Sequence, residues 1–145
     1  MARMVAGARR RALRDGDRQI DTAHLLHSLL EADPEARAAF EDGEQPARVL
    51  GYLVQRSIGY GLRWQAGAEG VPGPNPVPGW SPAAVAAMEV ALERAAERAD
   101  PRAGGVDLLA ALAADPDCRA VEVLRRAGVD AELLAGRLCA ALRRA

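Results

Sequence analysis

Apolar residues recur every three to four positions through most of the chain, which is the spacing of one face of an α-helix. The first such stretch predicts a helix over residues 2–15, ended by Asp-Gly-Asp at 15–17. Its two faces differ in chemistry: Met4 or Val5, Ala8 and Ala12 oppose Arg3, Arg10 and Arg14.

Three more helices are predicted before residue 59. Thr22 is the expected N-cap of the second, with Asp21 beside the positive end of the helix dipole. Pro34 opens a short third helix through Ala38 and Phe40, ended by Gly43. A fourth begins at Pro46. The residues predicted to be buried are Leu25, Leu26, Leu29 and Leu30 in the second helix, and Val49, Leu50, Leu53, Val54 and Ile58 in the fourth.

Residues 59–80 contain too much glycine and proline for a helix or a strand, and they are predicted to be a linker. Tyr60, Trp64 and Trp80 lie within it, although the chain is only 3% aromatic. We expect at least one of these rings to anchor the linker to the body; the alternative is a ligand contact.

The second half predicts four further helices. Ser81 is the expected N-cap of the first, followed by Pro82 at the first helical position. Asp130 is the expected N-cap of the last. The predicted buried positions are Val85, Met88, Leu92, Ala95 and Ala99, then Leu108, Leu109 and Leu112, then Ala120, Val123, Leu124 and Ala127, and finally Leu134, Leu138 and Leu142.

The two halves repeat each other. With an offset of 83 positions (95 − 12), Leu25, Leu26 and Leu29 fall on Leu108, Leu109 and Leu112. Such a repeat predicts two units that stack their apolar faces. The expected fold is all-α, with eight helices in a pseudo-twofold tandem repeat of two four-helix units. The expected single domain, 1–145, comprises repeat one at 1–58, the linker at 59–80 and repeat two at 81–145.

Composition, charge and residue spacing argue against several functional classes. The net charge is −1, which gives no general attraction to polyanions, so nucleic acid is not favoured as a partner. No apolar run is long enough to cross a membrane, and a cytoplasmic location is expected. Cys118 and Cys139 lack the spacing of a metal or redox pair, and His24 and His27 lack further ligands. We therefore expect no metal and no cofactor.

Three segments resemble the N-terminal repeat domain of bacterial Clp unfoldases. Ile-Asp-Thr-Ala-His-Leu-Leu at 20–26 is similar to that family's Ile-Gly-Thr-Glu-His-Leu-Leu. Gly-Trp-Ser-Pro-Ala-Ala at 79–84 resembles Pro-Phe-Thr-Pro-Arg-Ala, and Val-Leu-Arg-Arg-Ala-Gly-Val-Asp at 123–130 resembles Val-Leu-x-x-Leu-Gly-Val-Asp. The resemblance covers almost the whole chain and implies the same eight-helix architecture.

The resemblance also implies a function without catalysis. In that family the domain docks adaptors and degradation substrates, and some members bind cyclic peptides. This chain has no lysine and hence no Gly-x-x-x-x-Gly-Lys phosphate loop, so nucleotide binding is not expected. No nucleophile, base and orienting group can be assembled from the sequence, so enzyme activity is not expected either. If the chain is complete, it is a docking domain without an ATPase. The alternatives are a decoy that sequesters a peptide-like antibiotic or competes for Clp adaptors, and a nucleic-acid-binding regulator.

The chain departs from the family at positions that bear on ligand binding. Ala23 and Val106 replace the two glutamates that receive the guanidinium of phosphoarginine, so binding of that ligand is not expected. Asp107 replaces the family's second histidine. The resemblance places the ligand groove between the first helices of the two repeats. The expected peptide-binding residues are Arg3, Met4, Arg10, Trp80, Val85 and Glu89.

Overall fold

The computed structural model describes residues 1–57, 69–74, 77–99 and 104–144. Ile58, Tyr60 and Trp64, for which burial or anchoring was predicted, lie outside these residues. The described part contains eight helices, as the sequence predicted. They are α1 (Ala2–Asp15), α2 (Thr22–Ala32), α3 (Pro34–Ala38), α4 (Gln45–Ser57), α5 (Pro82–Glu97), α6 (Gly105–Ala114), α7 (Arg119–Arg126) and α8 (Ala131–Arg144). It contains no strand, only an isolated parallel bridge between Ile20 and Trp80.

Helices α2 and α6 form the centre of the molecule. Every residue from 21 to 30 is buried, as is every residue from 107 to 113. The other helices pack around this pair: α1 lies on α2, and α5 lies on α6. Across the pair, α7 contacts α2 while α3 contacts α6. This exchange of equivalent helices is what a pseudo-twofold repeat would produce.

Close helix contacts are made through small residues. A Cβ on Gly105, at the start of α6, would lie 1.8 Å from Oδ2 of Asp33, the N-cap of α3. A Cβ on Gly7 of α1 would lie 2.2 Å from Oγ of Ser28 on α2. These glycines permit the close approach of neighbouring elements that a core with few aromatic rings requires.

Several helix boundaries differ from the predictions. The N-cap of α2 is Asp21, not Thr22: the Asp21 carboxylate accepts a hydrogen bond from the His24 amide at 3.0 Å. Asp21 has an extended backbone, whereas Thr22 is already helical. Helix α3 ends at Ala38, before Phe40, and α4 begins one residue before Pro46. Ser81 and Asp130 are N-caps as predicted, and each accepts a backbone N–H three residues later.

The buried stripe of α5 also differs from the prediction. The helix buries Ala83, Ala84, Ala87, Ala91 and Ala95, whereas Val85 and Met88 are half-buried, Leu92 is 54% exposed and Ala99 is exposed beyond the helix end. In α4, Val49 and Leu53 are buried as predicted, Leu50 is half-buried and Val54 is 49% exposed. Ala127 and Leu142 are half-buried. The remaining predicted core leucines of α2, α6, α7 and α8 are buried.

Candidate functional site

Glu69 fixes the linker to both halves of the molecule. Its side chain is buried, and Oε1 accepts hydrogen bonds from the Thr22 amide at 2.9 Å and from the Ser81 hydroxyl at 2.8 Å. Oε2 accepts from the Thr22 hydroxyl and from the Arg119 amide. Thr22 and Arg119 are the first residues of α2 and α7, and Ser81 caps α5. Three helix N-termini therefore converge on one carboxylate, as their dipoles favour.

The backbone beside Glu69 reinforces this attachment. The Glu69 carbonyl accepts the Ala83 amide at 2.9 Å. Gly70 follows with φ of 88°, and a Cβ there would lie 2.8 Å from the Ala83 nitrogen. Glycine is thus required both by the left-handed conformation and by the close approach. Glu69 was not identified from the sequence, although it is the one acidic residue among residues 59–80.

Trp80 anchors the other end of the linker, which confirms that at least one aromatic residue does so. It is 7% exposed, and its neighbours Gly79 and Ser81 exchange backbone hydrogen bonds with Ile20 at 2.8 and 2.9 Å. The guanidinium of Arg9 on α1 lies 5.9 Å from the centre of the indole ring, at the outer limit of a cation–π contact.

Three of the predicted peptide-binding residues lie together in a cavity that we call the linker cleft. Trp80, Val85 and Glu89 line it, with Ala86 of α5 and residues 71–74 and 77 of the linker. Its volume is about 90 Å³. Val71 is 88% exposed and Val77 44% exposed, so its linker wall presents apolar side chains to solvent.

The other three predicted residues lie elsewhere. Arg3 and Arg10 line a second cavity between α1 and α2, the α1–α2 cleft, together with Arg11, Arg14 and Glu31. Met4 is 5% exposed and lies in the core, where its carbonyl accepts the Ser28 hydroxyl at 2.7 Å. The predicted set is therefore divided between two cavities and the core.

A charged network surrounds the start of α2. The Asp21 amide donates to Nδ1 of His24 at 2.9 Å, which places the proton of a neutral ring on Nε2, where it is donated to Asp17 at 2.7 Å. Burial opposes ionisation of Asp21, but hydrogen bonds and charge from His24 and Arg119 outweigh it and lower the pKa of Asp21 to about 2. Arg119 donates to Asp21 at 2.8 Å. Burial would lower the pKa of His24, but Asp21 and Asp17 outweigh that effect and raise it.

Asp107 has the same place in α6 that His24 has in α2. Its Oδ2 accepts the Gly104 amide at 3.0 Å, so each side chain bonds back to the N-cap amide of its helix. The two terminal guanidinium nitrogens of Arg98 donate to the two carboxylate oxygens of Asp107, at 2.5 and 2.9 Å. These hydrogen bonds outweigh the effect of burial and lower the pKa of Asp107. Asp107 thus has a structural role in capping α6.

Burial and hydrogen bonds account for the environments of Cys118 and His24 without a catalytic role. Burial raises the pKa of Cys118 to about 12, and its thiol donates to the Leu112 carbonyl at 3.3 Å. Asp15, Asp17 and His24 have possible metal-ligand atoms within 4.8 Å of one another. Hydrogen bonds already account for both ring nitrogens of His24, so this group has an explanation without a metal.

Comparison with known proteins identifies the fold. No protein-family profile matches the sequence, and no curated protein matches it. Among solved structures, the chain is similar to the N-terminal domain of the caseinolytic protease associated chaperone ClpD from Arabidopsis thaliana. The TM-score is 0.70 at 18% identity, over 98% of this chain and 91% of that one. No helix in the described residues is long and apolar enough to cross a membrane. From the structural similarity over nearly its whole length, we conclude that the chain has the fold of a Clp N-terminal domain.

Proposed function

We propose that this protein is a non-catalytic module that binds a protein or peptide segment in the linker cleft, in the manner of a Clp docking domain. The linker cleft carries the proposal, because exposed apolar residues there surround a small cavity. Val71 and Val77 form one wall, and Val85 and Ala86 of α5 form the other.

The size of the cleft favours a peptide over a small molecule. Drug-sized ligands occupy pockets of about 300–1,000 Å³, whereas this cavity measures about 90 Å³. It has room for one apolar side chain, while the rest of a peptide would lie across the linker and α5. Glu89, exposed at the rim, would favour a basic or neutral neighbour of the inserted residue.

The fold supports the same function. Similarity to a Clp N-terminal domain over nearly the whole chain favours docking of adaptors or substrates. A decoy that captures a peptide-like antibiotic, or that competes for Clp adaptors, would use the same cleft and differ only in the ligand. In either role the module itself performs no chemistry.

Selection of peptides on the intact chain tests the proposal. A displayed library of short peptides is panned on the wild type, and the affinities of the selected peptides are measured for Ala86→Arg and Leu133→Arg. Ala86 lines the cleft and is exposed, whereas Leu133 is an exposed residue of α8 outside it. We expect Ala86→Arg to weaken binding about tenfold or more, since an arginine would fill the cavity, and Leu133→Arg to leave it unchanged. Equal affinities for both variants, or no enrichment, would refute the proposal.

A further inference from the structure

The α1–α2 cleft is a polar cavity of about 340 Å³, and it shares no lining residue with the linker cleft. Arg3, Arg10, Arg11 and Arg14 line it from α1, and Ser28 and Glu31 line it from α2. The four arginines follow helical spacing, so they form one continuous face of α1. From Arg3 to Arg14 this face is about 16 Å long, since an α-helix rises about 1.5 Å per residue.

The backbones of the two helices approach closely beneath this face. Gly7 lies against Ser28, whose hydroxyl is bound to the Met4 carbonyl at 2.7 Å. A Cβ at position 7 would lie 2.2 Å from the Ser28 hydroxyl oxygen, so α1 and α2 meet closely between Arg3 and Arg10. These arginines lie along the line where the two helices meet.

The charge of the cleft is unbalanced. Glu31 is its one acidic residue, and Arg11 and His27 both bind it, His27 at 2.8 Å. Arg3, Arg10 and Arg14 form no ion pair with any described residue. Burial, assisted by the charge of Arg11, lowers the pKa of His27 to about 4, so His27 is neutral near pH 7. Three positive charges thus remain unneutralised along α1.

We propose that the α1–α2 cleft binds an acidic segment of a protein partner, with Arg3, Arg10 and Arg14 pairing with Asp or Glu side chains of that segment. The inference rests on the proposed function and adds a second contact with the same class of partner. Guanidinium groups match carboxylates through paired hydrogen bonds. About five residues of extended chain, at about 3.3 Å each, cover the length of the arginine face.

The observations favour a protein over a nucleic acid. The whole chain has a net charge of −1, so a long polyanion would gain no general attraction beyond the cleft. In the described part of α1, no aromatic residue lies among the arginines to stack on a base. A short acidic segment requires only the local positive charge.

Fluorescence anisotropy on the intact chain tests this inference. The probe is a labelled ten-residue peptide of alternating Glu and Ser. Its controls are the same peptide with Gln in place of Glu, and a ten-nucleotide oligothymidine. One variant combines Arg3→Gln, Arg10→Gln and Arg14→Gln. The matched control combines Arg125→Gln, Arg137→Gln and Arg143→Gln, which removes the same charge from exposed positions on α7 and α8.

We expect the acidic peptide to bind the wild type and to weaken with added salt, while the Gln peptide does not bind. The α1 variant should lose about tenfold or more in affinity, and the α7–α8 control should stay within about twofold of wild type. Absence of binding, equal losses in both variants, or tighter binding of oligothymidine would overturn the inference. Ala86→Arg should bind the acidic peptide normally, so failure here is distinguishable from failure at the linker cleft.

Discussion

Glu69 illustrates how one side chain can determine the position of a segment without regular structure. A buried carboxylate is costly unless hydrogen bonds replace its hydration. Here Thr22 donates twice, and Ser81 and Arg119 donate once each. Because the donors come from both halves, the linker wall of the candidate binding cleft is held against α5.

Replacing Glu69 with Gln tests this role. The amide keeps the shape but carries no charge, and its NH₂ group would face groups that also donate. We expect the free energy of unfolding to fall by about 1–3 kcal/mol, measured by urea denaturation. Glu93→Gln, at an exposed position of α5, should change it by less than about 0.5 kcal/mol. Equal stability of the two variants would show that Glu69 is not the anchor.

The lowered pKa of His27 makes the stability of the fold depend on pH. Its pKa falls from 6.5 in the unfolded chain to about 4 in the folded one, so the unfolded state binds the proton first as pH decreases. The stability associated with neutral His27 is present above pH 6.5 and is lost towards pH 4. His24 acts in the opposite direction: its pKa is raised, so its contribution is present below 6.5 and lost as pH rises through the folded value.

We therefore expect His27→Gln to remove a destabilisation on acidification. Urea midpoints at about pH 7 and about pH 5 should show a smaller loss, or a gain, in the variant relative to wild type. Wild-type and variant midpoints that decrease in parallel between these two values would contradict the assignment.

The residue-scale predictions succeeded where the signal was local. Ser81 and Asp130 follow the usual N-cap pattern and cap their helices. At α2 the predicted N-cap, Thr22, was wrong: Asp21 caps the helix, and the Thr22 side chain has another role. Its hydroxyl accepts the Ala120 amide at 2.9 Å and donates to Glu69. Such contacts join residues 47 or 98 positions apart, and no local pattern encodes them.

At the scale of elements, helix number and order followed from periodicity, but the buried face of α5 did not. The predicted and observed stripes share Ala95 and differ by about one position elsewhere, which rotates the helix by about 100°. The prediction chose the larger residues Val85, Met88 and Leu92. The structure instead buries alanines, because α5 lies close to α6, and the distance between packed helices depends on the side chains at their contact.

Ala91→Leu tests the alanine contact. Ala91 is fully buried, and three additional carbons would separate α5 from its neighbours, so the free energy of unfolding should fall by about 1–3 kcal/mol. Leu92→Ala, at the adjacent exposed position, should cost less than about 0.5 kcal/mol. If Leu92→Ala were the more damaging change, the face predicted from the sequence would be the correct one.

For the whole molecule, the sequence repeat predicted only that two units stack their apolar faces. In the structure α2 and α6 contact each other, α7 contacts α2 and α3 contacts α6. The candidate site was predicted only in part. Trp80, Val85 and Glu89 lie in one cleft, whereas Arg3 and Arg10 lie in another. The face of α1 that carries Arg3 and Arg10 borders α2, whereas it is Arg9 that contacts Trp80. A helical pattern gives the spacing of side chains, but not which neighbour each face meets.

The central claim is that this Clp N-domain fold binds peptides at the linker cleft, and chemical-shift mapping tests it most directly. The ¹⁵N-labelled chain is titrated with the tightest peptide from the selection. We predict perturbations concentrated at the amides of Val71, Gly73, Val77 and Trp80 and of residues 85–89, with the α8 amides around Leu133 unchanged. Perturbations confined to α7 and α8, with residues 71–89 unaffected, would contradict the account.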